Sequence, residues 1–232
     1  MPIWRSLSDT IAALTQSESV GALLARLGML RGTPDDPTET VGFTIALVAL
    51  AAKIARSDGD ATGTEYEAFE RTIEIAESER ANVRRLFDLA KRDVAGYETY
   101  ARQIGLMLKD HPELRRNVMQ SLFVVATADG FLEEEEEEHL HRVAELLGLV
   151  ASEYGWVRSL FVADRLTPYQ ILGLTPATGD AELKARYREL VRETHPDRLT
   201  GDGASADVVE AAQRRLAAIN DAYRTITRER AP

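Results

Sequence analysis

The chain has 232 residues, 44% of them hydrophobic and 28% charged, with a formal charge of −10 and no cysteine. This is the composition of a soluble globular chain with room for two modest domains. It excludes disulfide stapling, cysteine-ligated zinc and thiol catalysis. The charge is uneven: residues from 166 onward carry ten Lys/Arg and ten Asp/Glu, so the whole −10 belongs to residues 1–165. An acidic body with a neutral appendage argues against nucleic acid as the main partner.

Helical signals dominate and alternating β-branched runs are absent, so the expected fold is all-α. The N-terminus, "MPIWRSLSDTIAALTQ", has one arginine among scattered polar residues instead of a continuous apolar leader. Residues 1–40 read as a helical segment and linker ending in "GTPDDPTET". The most apolar run, "VGFTIALVALAA" at 41–52, stops at Lys53. A membrane span needs about 20 such residues, so this run predicts a buried core helix and the chain reads as cytoplasmic, with no membrane span.

That helix runs into "SDGDATGT" (57–64), and a second apolar helix further on runs into "ADGF" (128–131). Asp58–Gly59 matches Asp129–Gly130; Ala55 and Ala126 precede each aspartate by three positions, and Glu65 and Glu136 follow by seven. The spacing predicts two helix–turn–helix units about seventy residues apart, packed as one bundle. Each Asp-Gly can be a helix end, with glycine in the left-handed cap and acids suiting the next helix's N-terminal dipole. Alternatively the four carboxylates Asp58, Glu65, Asp129 and Glu136 form two sites for a divalent cation. Each turn supplies few oxygens, so such binding would be weak. An EF-hand is excluded, because Phe69 stands where the bidentate glutamate would be. The run Glu133–Glu138 reads as the solvated first turns of a helix.

With its twin Asp-Gly turns, Glu65, Glu136 and the "RVAELLGL" that follows (142–149), the segment 41–163 resembles the TerB-type helical domain of tellurite-resistance proteins, as found in DjlA-like co-chaperones. Metal binding at the acidic turns is an implication of that resemblance.

From Pro168 the sequence reads "PYQILGLTPATGDAELKARYRELVRETHPDRLTGDG", and later "RRLAAINDAYRTI". A helix over 180–194 places Leu183, Tyr187, Leu190, Val191 and Thr194 on one apolar stripe, with Asp180 as its expected N-cap. Lys184, Arg188 and Arg192 form a basic stripe about 115° away, and Glu182, Glu189 and Glu193 an acidic one on the other flank. Leu216, Ile219, Ala222, Tyr223 and Ile226 supply a facing stripe, so two antiparallel helices would project a bare loop containing His195, Pro196 and Asp197. By itself that tripeptide could be a helix stop, since proline breaks the helix.

Residues 167–232 closely resemble a DnaJ-type J domain. Tyr169, Leu172, Gly173 and Leu174 match its opening, Asp180 to Leu190 its second helix, His195–Pro196–Asp197–Arg198 its signature loop, and Leu216 to Tyr223 its third helix. The resemblance implies a co-chaperone whose loop (His195, Pro196, Asp197, Arg198) and basic face (Lys184, Arg188, Arg192) dock on a DnaK-type chaperone and stimulate its ATPase. Protein clients are a further implied partner. In that reading Pro196 fixes the loop, Asp197 pairs with a basic group of the chaperone and His195 orients the loop. The alternative is a metal-binding or stress-signalling adaptor that uses the J domain only as a dock.

No enzyme is expected, because His195 has no serine, cysteine or metal constellation in its motif, and no cofactor is expected apart from that weak cation. Glu189 and Glu193 stand where many J domains carry lysines, and Thr194 replaces the usual aromatic before the histidine. Gly/Phe-rich and zinc-finger segments are missing, which fits a specialised co-chaperone. The absence of an N-terminal span means that the inner-membrane address of anchored DjlA-like members is not expected here.

Overall fold

The protein is described by a computed structural model, which describes residues 20, 24, 37–55, 63–73, 75–92, 96–128, 132–162 and 166–230. Among these residues there are helices and no strand, as the all-α expectation required. The chain divides into two compact units, 1–154 and 155–232.

In the first unit, Pro37–Glu39 forms a short 3₁₀ turn, and Thr40 caps α1 (Val41–Ile54) by accepting from the Phe43 N–H at 3.0 Å. Eleven of the fourteen α1 residues are buried. A helix that is apolar all round belongs at the centre of a bundle, which is how the "VGFTIALVALAA" run behaves. Five more helices of the body lie among the described residues: α2 (Gly63–Thr72), α3 (Arg80–Arg92), α4 (Tyr97–Met107), α5 (Pro112–Ala126) and α6 (Glu134–Leu147). A 3₁₀ turn at Glu77–Glu79 precedes α3. The central α1 packs against α3, α4 and α5, while α2 packs on α5 and α4 on α6.

Aromatic side chains fill the body's core. Phe87 meets Tyr66 edge-on at 5.1 Å and Phe69 at 5.7 Å. The Tyr66 hydroxyl donates to Glu70 at 3.1 Å. Burial first and the Glu70 carboxylate second push its pKa upward, so it stays a donor. At the other end, Arg115 donates through Nε to the Leu108 carbonyl at 2.8 Å and through Nη1 to the Gly148 carbonyl at 3.3 Å. It thereby ties the C-terminal ends of α4 and α6 together. α6 stops at Gly148, whose φ of 80° is the left-handed conformation that glycine adopts without penalty.

Helix α7 (Ala151–Phe161) carries the division between the units. The second unit continues with α8 (Pro168–Ile171), α9 (Asp180–Glu193), α10 (Pro196–Gly201) and α11 (Ala206–Glu229). The predicted hairpin is present as α9 and α11, but the bare loop is not: α10, a six-residue helix, occupies the chain between them. No helix among the described residues is long and apolar enough to cross a membrane.

α4 and α6 cross closely at Gly105. A Cβ added at Gly105 would lie 2.4 Å from the Leu146 carbonyl oxygen and 3.2 Å from the Leu147 Cα. Both are backbone atoms that cannot swing away. Gly105→Ala is therefore expected to lower stability by about 1–3 kcal/mol despite alanine's better helix propensity. Gly155, also helical, has open space where a Cβ would stand. Gly155→Ala should raise stability by up to about 1 kcal/mol. Urea unfolding of the two variants checks the pair; equal effects would show that the α4–α6 contact yields.

Candidate docking site on the second unit

Each helix of the second unit starts and stops for a local reason. Thr167 and Gln170 form a reciprocal capping box around α8, the Thr167 N–H donating to Gln170 Oε1 at 2.9 Å and the Gln170 N–H to Thr167 Oγ1 at 3.3 Å. Gly173, with φ 65°, turns the chain out of α8. The N-cap of α9 is Gly179, not Asp180 as the sequence suggested. Asp180 is the first helical residue, and its carboxylate instead accepts from Arg230 Nη1 at 2.7 Å.

The hairpin's core consists of Leu172, Leu183, Leu190, Ile219, Ala222 and Ile226, with Tyr187, Val191 and Tyr223 partly buried against it. Apart from Leu172, which precedes α9, these residues belong to the stripes that helical periodicity picked out, while Leu216 lies outside the cluster. Tyr187 stacks on Tyr223 with ring centroids 4.1 Å apart, and its hydroxyl donates to Asn220 Oδ1 at 3.0 Å. Thr194 is buried. It is the C-cap of α9, its N–H donating to the Leu190 carbonyl at 2.9 Å.

Two arginines fasten the outer pieces to α11. Arg215 Nη2 donates to the Ile171 carbonyl at 3.0 Å. Arg230, the C-cap of α11, donates to Asp180, to the Tyr169 hydroxyl at 3.2 Å and to the Thr178 carbonyl at 2.8 Å. The sequence reading missed both, since partners 44 to 61 positions away leave no periodic trace.

At the other end, His195 is the N-cap of α10 and Pro196 its first helical residue. Proline is suited to that position because its missing N–H would have had no partner there. The tripeptide thus ends one helix and starts another. His195 Nδ1 accepts from the Asp197 N–H at 3.3 Å. An imidazole that accepts at Nδ1 carries its hydrogen on Nε2, which leaves a donor free to face outward. The Asp197 carboxylate lies 3.8 Å from the same Nδ1 and is 91% exposed, so it stands in solvent as a free acceptor. Arg198 pairs with Asp202 one turn along, at 3.7 Å.

The basic residues of this unit fall into engaged and unengaged ones, with Arg228 on α11 among the latter. Arg186, Arg198, Arg214, Arg215, Arg224 and Arg230 each contact an acid or a backbone carbonyl. Among the described residues, Lys184, Arg188 and Arg192 make no ion pair and no side-chain hydrogen bond, and all three are exposed. They lie one turn apart on α9, and Arg192 is three residues short of His195. An unpaired cationic stripe therefore leads up to an exposed carboxylate and an imidazole donor.

Of the four carboxylates considered for a cation, Asp58 and Asp129 lie outside the described residues. Glu65 and Glu136 are both buried. Glu136 completes a capping box on α6, accepting from the Glu133 N–H at 3.0 Å. Among the described residues no group of three or more His, Asp or Glu side chains is placed to hold a metal ion.

The capping bond makes a direct prediction. His195→Ala should destabilise α10 by about 0.5–2 kcal/mol, the usual cost of losing an N-cap. His195→Asn, whose amide oxygen can take the place of Nδ1, should retain most of it. Amide exchange at 197–201 would report the difference; equal protection in both variants would show that the imidazole does not cap.

Comparison with known proteins identifies two domains. Residues 44–159 match the family model of the tellurite resistance protein TerB, and residues 167–231 match that of the DnaJ domain. Similar relatives are the co-chaperone protein DjlA of Photobacterium profundum (29% identical over 123 residues, 50% of this chain and 44% of that one) and of Coxiella burnetii (24% over 198 residues, 76% and 73%). The DjlA of Shewanella oneidensis is 39% identical over 62 residues, 27% of this chain and 24% of that one. The chain thus spans less than half of the first and last of these and about three quarters of the second. No solved structure matches it. This chain belongs to the TerB family, its TerB domain being followed by a DnaJ domain.

Proposed function

We propose that the protein is a J-domain co-chaperone that docks on a DnaK-type chaperone through α9 and the His195–Asp197 turn and stimulates its ATP hydrolysis. The relatives are named as co-chaperones, and the chain carries both of the domains matched. The observation that carries the reading is the unpaired stripe Lys184, Arg188 and Arg192 beside an exposed Asp197. Cations with no internal partner contribute nothing to the fold that neutral residues could not. Their use is to meet an acidic surface, where complementary charge raises the association rate and sets orientation.

In this mechanism the protein regulates and catalyses nothing itself. The stripe aligns α9 on the chaperone. His195 offers its Nε2–H, and the Asp197 carboxylate seeks a basic group on the partner. Pro196 holds φ near its helical value, so less backbone ordering is needed on docking. Hydrolysis takes place in the chaperone, triggered by the state that docking selects. The TerB domain directs or regulates where this happens, and a protein client is the expected third party.

The stripe and the turn have separable signatures. Asp197→Asn and His195→Gln should abolish stimulation of a bacterial DnaK in single-turnover ATPase assays, with overall helix content close to wild type. Stimulation at the wild-type level by either variant would sink the assignment. Lys184→Glu or Arg188→Glu should weaken binding, and added salt should weaken the wild type, because exposed charges are screened over about 10 Å at 0.1 M. An affinity independent of salt would mean that apolar contact drives docking instead.

A further inference from the structure

The acidic flank of α9 poses a problem for any role of the basic stripe. Glu189 stands three residues before Arg192 and three after Arg186. At about 100° per residue it lies roughly 60° round the helix from each, midway between them. Either arginine is a neighbour of the kind that pairs on a helix surface. An acid placed N-terminal to its base is the better orientation, since it agrees with the helix dipole. On local grounds alone, Glu189 should pair with Arg192 and remove one charge from the stripe.

The structure has the opposite pairing. Arg186 Nη1 meets Glu189 Oε2 at 2.6 Å, and Arg192 is left unpaired. Glu189, Arg186 and Arg192 line one cleft of about 540 Å³ with Glu182, Gly173 and Leu174, so Arg192 is close at hand. The difference between the two arginines is a tertiary anchor. Arg186 Nε donates to the Leu172 carbonyl at 3.4 Å, at the end of α8. One edge of its guanidinium is therefore oriented before the glutamate arrives, so less side-chain entropy is lost on pairing. Arg192 has no such anchor.

We propose that Arg186 is a positioning residue that sequesters Glu189 and thereby keeps Arg192 available to the chaperone. Arg186 does not itself belong to the stripe. It lies on the far side of Glu189 and acts through it. The chain tolerates an acid beside its docking face because a fixed arginine holds that acid aside. This rests on the docking reading proposed above, so the test separates the two.

The first arm needs no partner. In a crystal structure of the full chain carrying Arg186→Ala, the Glu189 carboxylate should turn to Arg192. A carboxylate left in its present place, or free in solvent, would overturn the proposal whatever the chaperone does. The second arm measures binding to a bacterial DnaK in its ATP state for Arg186→Ala, Glu189→Gln and the double variant. Arg186→Ala should weaken binding by about threefold, and adding Glu189→Gln should restore it to near wild type, while Glu189→Gln alone has little effect.

Loss of a positive charge alone predicts independent effects, so strictly additive changes would overturn the proposal. Arg186→Lys, which keeps the charge beside Glu189, should remain within about twofold of wild type. Arg214→Ala controls for charge loss away from the stripe, since Arg214 is spent on Glu210 at 2.8 Å. It should bind like wild type, and weakening equal to that of Arg186→Ala would count against the proposal. Failure of the wild type to bind DnaK would overturn the docking reading and, with it, the purpose given to Arg186, leaving the exchange of partners seen in the first arm as a fact of the fold.

Discussion

The second unit depends on one contact, the apolar seam between α9 and α11. Leu183 and Leu190 from one helix meet Ile219, Ala222 and Ile226 from the other, with Leu172 closing the end. Burying such side chains is worth about 1.5–3 kcal/mol each, far more than any exposed ion pair here. The seam fixes the rotation of α9 about its axis. Once that is set, the sides of the helix that face water are set too, and with them the direction of the basic stripe. The Tyr187–Tyr223 stack and its bond to Asn220 add a polar lock that fixes register as well as rotation.

Against that frame, the charges of the second unit fall into two populations. Among the described residues from 166 onward, six arginines are engaged by acids or carbonyls, and the two longest-range of these, Arg215 and Arg230, hold α8 and the turn before α9 to the length of α11. Their contribution is geometric closure. The cations of the stripe are left free, and the neighbouring acid is occupied elsewhere. A neutral domain can thus present a strongly polar face, and net charge alone would have hidden it.

The body follows a different rule. Its α1 is buried on all sides and sorts the other helices around it. Two of its buried glutamates, Glu65 and Glu136, follow the twin Asp-Gly turns in sequence, and Glu136 serves the first turn of α6. Capping accounts for the burial of that carboxylate, because a buried charged oxygen is tolerated where it accepts backbone N–H bonds. For this residue the local reading accounts for the geometry without a cation.

Much of this was legible in the sequence, because it is set locally. The period of 3.6 residues placed the apolar stripes of α9 and α11, and the same arithmetic put Lys184, Arg188 and Arg192 on one face. The length and flanks of the 41–52 run marked a core helix. Other features depend on residues far apart in the chain and leave no local signature. His195 became a helix cap, because the chain after Pro196 closes a further turn instead of hanging as a loop. Asp180 lost the capping role to Gly179 and gained Arg230 from fifty residues away. Gly105 is required by a backbone that reaches it from α6. Glu189 could have chosen either arginine by spacing alone. The choice fell to Arg186 because the carbonyl of Leu172, fourteen residues distant, holds that guanidinium in place. Periodicity determines which residues share a face; only tertiary contact decides which of them are already spoken for.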